Sequence, residues 1–123
     1  MKISEADLKA SPTITVGGET FHIPKLAPKQ NRRIVPRIAR LGQIDVNKLD
    51  EQTMDDLYEI VFWALTRGYP ELDQAEFMDR AIDVAECMRA IPVIAQQTGI
   101  MKMNADGTVK DDAPGEAPAI NQE

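Results

Sequence analysis

Residues 59–100 read EIVFWALTRGYPELDQAEFMDRAIDVAECMRAIPVIAQQTGI, and the fold turns on how this stretch is divided. The first part is an apolar helix. Met54, Leu57, Val61 and Leu65 line one face, and Ile60, Trp63 and Ala64 carry apolar surface further round the axis. A helix apolar on so much of its circumference is contacted from more than one side, so it is the central one. Its start reads as Thr53, because Thr53-x-x-Asp56 resembles a capping box with Asp in place of Glu. Its end reads as Gly68 in the position just past the helix, followed by a Tyr69-Pro70 turn. Asp73-x-x-Glu76 is a second capping signal and opens another helix near Gln74. Phe77, Ala81, Val84, Met88 and Ile91 then fall at helical spacing, which predicts one continuous helix with that stripe inward. Pro92 is expected to kink or break it, with a short piece continuing through Val93, Ile94 and Ala95 to Gly99.

Working outward toward the N-terminus, Ile14-Thr15-Val16, Gly17-Gly18 and Glu19-Thr20-Phe21-His22-Ile23 form a hairpin signal. A two-residue primed turn needs positive φ, which Gly-Gly supplies. Pairing across it sets Val16 opposite Glu19 and Ile14 opposite Phe21, so Ile14, Val16, Phe21 and Ile23 share one face. An isolated hairpin is marginal in water, and that face is expected to pack on the helices. Residues 28–41, PKQNRRIVPRIARL, read as a helix with Ile34, Ile38 and Leu41 on one stripe, Pro28 in the first turn and Gly42 at the end. Pro36 is expected to kink or split it. Residues 1–12 read as a loose arm and 43–52 as a linker with room for a short turn. Beyond Lys102 the core-forming residues run out, and the segment 102–123 is expected to be disordered. The fold class expected is therefore α+β, mainly α. An N-terminal β-hairpin packs on a three- to four-helix bundle within residues 1–101.

Composition narrows the function. With 123 residues and a hydrophobic fraction of 43%, one domain with one core is expected. A net charge of −6 argues against generic binding to DNA, RNA or an anionic membrane. Cys87 is the single cysteine, so no internal disulfide forms, which fits a reducing compartment. MKISEADLKASPT lacks the apolar stretch of a secretory signal, and no apolar run has the length of a membrane span.

No residues read as catalytic, cofactor-binding or metal-binding. His22 sits on the polar side of a strand, with no carboxylate or cysteine beside it in sequence. Cys87 borders the Val84–Met88 stripe and reads as a small hydrophobe. Gly17-Gly18 lacks the following Lys-Ser/Thr of a phosphate loop. Glu76, Asp79, Asp83 and Glu86 follow one helix edge, a solvated face partly paired with Arg80 and Arg89. The six cations Lys25, Lys29, Arg32, Arg33, Arg37 and Arg40 fall within residues 24–44 without one acidic residue. They occupy the arc opposite Ile34, Ile38 and Leu41. The ordinary reading is a solvated face, or pairing with the acidic residues 45–86; the functional reading is contact with nucleic acid, a membrane surface or an acidic protein.

The order of these features resembles the tail assembly chaperones of long-tailed bacteriophages and their prophages. The likeness covers roughly residues 14–101. It rests on the opening Phe-His-Ile-Pro-Lys-Leu-Ala-Pro-Lys-Gln (21–30), Phe62-Trp63-Ala64-Leu65, Tyr69-Pro70-Glu71-Leu72, and Ile-Pro-Val-Ile-Ala-Gln-Gln-Thr-Gly-Ile (91–100). The resemblance implies a non-enzymatic protein of the host cytoplasm. It would bind the tape measure protein, keep its long apolar helices soluble, and help tail tube protein assemble. Arg32, Arg33, Arg37, Arg40, Leu41, Tyr69 and exposed Met residues are the candidate contact surface. A head–tail or tail adaptor that stays in the virion, and a small nucleic-acid-binding regulator using residues 25–40, remain alternatives, and self-association stays open.

Overall fold

The computed structural model describes residues 3–42, 47 and 49–102. Its elements run α1 (Glu5–Lys9), β1 (Thr13–Val16), β2 (Glu19–His22), α2 (Pro28–Leu41), α3 (Glu51–Gly68), α4 (Gln74–Met78) and α5 (Val84–Thr98), with a last 3-10 turn at Ile100–Lys102. The protein is mainly α with one antiparallel hairpin, as the sequence indicates. The segment expected to be disordered lies outside the described residues apart from Lys102, as do residues 43–46 and 48 of the expected 43–52 linker, whose Glu51 and Gln52 belong instead to α3.

The hairpin has the register that Gly17-Gly18 dictates. Val16 pairs with Glu19 and Ile14 with Phe21, while the two glycines take φ of 61° and 77°. Ile14, Val16, Phe21 and Ile23 are buried together, and Thr15 Oγ1 meets Thr20 Oγ1 at 3.1 Å on the solvent face. Each large side chain so buried contributes about 1.5–3 kcal/mol of transfer free energy, which is what the hairpin lacks alone.

Helix α3 is central, packing on α2, α4, α5 and β2. Leu57, Ile60, Val61, Ala64 and Leu65 are fully buried, and Phe62 nearly so. Its ends differ from expectation. The N-cap is Asp50, whose side chain accepts the Thr53 N–H at 2.8 Å, so the helix begins at Glu51 and not at Thr53. That leaves Asp56 free for another role. Gly68 is the last helical residue and has no positive φ. It is small for a steric reason: a Cβ there would stand 2.7 Å from Leu8 Cδ1. Leu8 belongs to α1, so the expected loose arm carries a short helix, capped by Ser4 Oγ accepting the Asp7 N–H at 3.1 Å.

The larger correction falls between residues 78 and 84. The expected single helix from Gln74 is two helices, α4 and α5, and Asp79–Asp83 lies between them. Glu86 starts the second helix by reaching back to the Asp83 N–H at 3.1 Å. Its same Oε1 accepts the Gly17 N–H at 3.0 Å, tying the hairpin turn to α5. The inward residues of α5 are Cys87, Ala90 and Ile94, while Val84, Met88 and Ile91 flank them and Ala81 is exposed. The acidic edge from Glu76 to Glu86 is accordingly no single rod.

Neither proline breaks its helix. Pro36 and Pro92 both sit inside continuous α-helix on the exposed side, where solvent reaches the carbonyl each leaves unpaired. Just past Pro36, the Arg37 guanidinium Nη1 donates to the Arg33 carbonyl at 2.7 Å. Gly99 closes α5 in the left-handed region with φ 85°.

Candidate partner-binding surface

Polar chemistry concentrates along the seam of α2 and α3. Asp56 is almost fully buried, and its carboxylate takes both Arg40 bonds, Nη2 to Oδ1 at 2.7 Å and Nε to Oδ2 at 3.2 Å. Gln52 Nε2 donates to Oδ1 at 3.2 Å, and Arg37 Nε stands 3.8 Å away. A buried carboxylate needs such partners, because removing it from water unpaired costs several kcal/mol. The bidentate contact raises the Arg40 pKa, first through its hydrogen bonds to Asp56. One turn further along α3, Glu59 Oε1 accepts the Trp63 indole N–H at 3.0 Å, and Oε2 accepts Gln74 Nε2 at 2.6 Å. Arg37 Nη2 lies 3.9 Å from the same Glu59, and the Arg33 guanidinium sits 5.0 Å from the Trp63 ring centre.

The structure therefore divides the basic arc. Arg37 and Arg40 are held by Asp56, and Arg33 stacks on Trp63, so these three candidate contacts fasten α2 to α3. Arg32, Lys29 and Lys25 are exposed and make no ion pair or hydrogen bond through their side chains among the described residues. Leu41 is half-buried against the core. Tyr69 is a packing residue: its ring meets Phe21 edge-on at 5.3 Å, and its OH accepts the His22 N–H at 3.1 Å. The His22 ring stays local too, with Nδ1 3.2 Å from the Ser11 carbonyl.

Beside the seam lies a surface of which the sequence reading singled out only exposed Met residues, without naming them. Met78 at the end of α4 is exposed by 41%, and Met101 by 60%. Met78 and Tyr58 border two adjoining hollows. One, of about 210 Å³, is lined by Tyr58, Phe77, Met78, Arg80 and Ile82. The other is an open groove of about 580 Å³ lined by Arg37, Gln52, Asp55, Asp56, Tyr58, Glu59 and Met78. Tyr58 is fixed by donating its OH to the Ile82 carbonyl at 3.1 Å, and its burial raises its pKa. The smaller hollow sets Tyr58, Phe77, Met78 and Ile82 beside the Arg80 side chain, and the open groove carries charges of both signs. No single residue gave them away, because they exist only where the end of α4 and the 79–83 linker fold back on α3.

Cys87 is fully buried, and burial pushes its thiol up to about 12, the opposite of an activated thiolate. Among the described residues no group of His, Cys, Asp and Glu converges on a metal position, and no helix is long and apolar enough to cross a membrane. No protein-family model, curated protein or solved structure matches the chain.

Proposed function

We propose that this protein is a tail assembly chaperone of a long-tailed bacteriophage or prophage, working in the host cytoplasm by binding and without turnover. Its client would be the tape measure protein, and its effect would be to favour tail tube assembly. The observation that carries the reading is the two-part hollow around Met78 and Tyr58. Its smaller part offers Met78, Tyr58 and Ile82 to an apolar helix stripe, and its rim offers Arg80 and the exposed Asp55 to the polar flanks of that helix. Methionine suits such a surface, because its unbranched side chain adapts to irregular partners. The sequence likeness gives the partner its identity. Its Tyr69-Pro70-Glu71-Leu72 segment is the corner that carries the chain from α3 to α4 and clasps the hairpin.

A virion adaptor would use the same kind of surface but remain in the particle. A mass-spectrometric inventory of mature particles, beside one of infected or induced cells, separates the two. The chaperone reading expects the protein in cells and its absence from particles; stoichiometric presence in particles overturns it in favour of the adaptor. The nucleic-acid reading loses support, since three of the arc's arginines are engaged within the fold.

A further inference from the structure

The hairpin has two outer edges, and they are treated differently. The Ile23 N–H donates to the Pro12 carbonyl at 2.7 Å, so the bonded pairs that alternate from there are Ile14 with Phe21 and Val16 with Glu19. The N–H and C=O groups of Thr13 and Thr15 therefore point away from β2, as those of Thr20 and His22 point away from β1. On the β2 side the Tyr69 hydroxyl accepts the outward His22 N–H at 3.1 Å. On the β1 side, among the described residues, no backbone or side chain bonds to the outward groups of Thr13 and Thr15, and both residues are exposed. Against this open edge lies a hollow of about 240 Å³ between β1 and α5, with an apolar lining of Ile14, Ala90 and Val93. Its charged residues are Glu86 and Arg89. Glu86 Oε1 already accepts the Gly17 and Asp83 N–H groups at 3.0 and 3.1 Å. Arg89 is exposed and makes no ion pair or hydrogen bond through its side chain among the described residues.

We propose that β1 is a docking edge for an extended peptide, which pairs with Thr13 and Thr15, sets an apolar side chain in the hollow and turns an acidic one toward Arg89. The main chain selects the conformation. Only another extended strand matches the spacing of the N–H and C=O groups that Thr13 and Thr15 present, so a helix does not satisfy this edge. The hollow and the cation select the side chains. Residues two apart in a strand share a face, so one side of the peptide carries both the apolar and the acidic residue. A second copy of the chain fits less well. An isologous interface sets a patch against itself, which brings a second Arg89 to the rim and only a Glu86 already engaged. Four residues of strand make few bonds, so a short peptide is expected to bind in about the millimolar range. None of these residues lines the hollows around Met78 and Tyr58, so the docking edge stands apart from the chaperone reading.

The test titrates the full-length, isotope-labelled chain with the end-capped peptide Ser-Thr-Val-Thr-Asp-Thr-Ser. The Thr13 and Thr15 amide resonances are expected to shift saturably below about 5 mM peptide, and these amides to exchange more slowly with solvent. Lys in place of the peptide's Asp is expected to weaken binding about threefold, the scale of one exposed ion pair. Arg89→Glu, on an exposed side chain, is expected to reverse the order of the two peptides. Pro in place of the Thr between Val and Asp removes a main-chain donor and is expected to abolish binding. Absence of saturable shifts at Thr13 and Thr15 overturns the proposal. So do equal shifts from the Asp and Lys peptides, or shifts that the Pro peptide reproduces, since charge or main chain then plays no part. Shifts of the same amides with protein concentration alone also overturn it, because the occupant is then a second copy. None of these failures bears on client solubility or particle content, which test the chaperone reading separately.

Discussion

Tyr69 is the residue whose role changed most between sequence and structure. On sequence alone an aromatic beside a proline at a helix–helix corner reads as a contact for a partner. In the fold it clasps the hairpin, with its ring against Phe21 and its hydroxyl capping the outward His22 N–H at 3.1 Å. Tyr69→Phe keeps the ring and removes the acceptor, so a loss of about 1 kcal/mol is expected in denaturant unfolding. A loss near zero would mean that water replaces the hydroxyl. Asp56 moved the other way, from an expected helix cap to the buried partner of Arg40, Gln52 and Arg37. Asp56→Ala strips Arg40 and Gln52 of their acceptor and Arg37 of its counter-charge, and a destabilisation on the order of 2 kcal/mol is expected. Asp55→Ala, one residue back and exposed, should stay within about 0.5 kcal/mol. No spacing rule could have told these two aspartates apart, because the distinction depends on where α2 crosses α3.

At the scale of elements, the hairpin was legible to the residue because Gly17-Gly18 leaves only one register with a single apolar face. The α2 and α3 helices were legible for the same reason, each from its own apolar stripe. The 79–83 break was not. Phe77, Ala81, Val84, Met88 and Ile91 keep helical arithmetic straight across it, although the chain leaves helical geometry after Met78. The signal present in the sequence was Asp83-x-x-Glu86, a second start only ten residues after Asp73-x-x-Glu76. The consequence is a rotated inward face. Ile94→Asp is expected to unfold the domain and Ala81→Asp to leave its melting curve almost unchanged, since Ile94 is fully buried and Ala81 exposed. Equal effects would restore the single-helix stripe.

The junction of hairpin and α5 also carries a pH dependence. The Gly17 N–H, then the Asp83 N–H, hold Glu86 in its ionised form and lower its pKa from the ordinary 4.5. A depressed carboxylate pKa contributes stability above the unfolded value and loses it as pH falls through the folded value. The Gly17 amide resonance is therefore expected to move on acidification with a midpoint below the ordinary 4.5. A midpoint at or above 4.5 would show that the bond to Glu86 does not form.

For the whole molecule, the architecture was readable and the candidate surface was only half so. Sequence placed the cations of α2 and allowed their pairing with the acidic residues 45–86, but it could not name Asp56 as the partner of Arg37 and Arg40 or Trp63 as that of Arg33. It gave no hint that Met78 and Tyr58 share a rim, because residues twenty apart on two helices meet only through the tertiary fold. In the proposed function this rim shields an apolar helical client, and solubility reads that directly. The quantity to measure is the soluble fraction of the tape measure protein from the same genome, co-expressed with this chain or with its Met78→Glu variant. The wild-type chain is expected to carry the client into the supernatant as a complex recoverable at low salt. Met78→Glu, on an exposed side chain, is expected to fold normally and lose most of that effect. A client that stays in the pellet beside the wild-type chain, or one that Met78→Glu solubilises equally well, would show that the rim shields no such client.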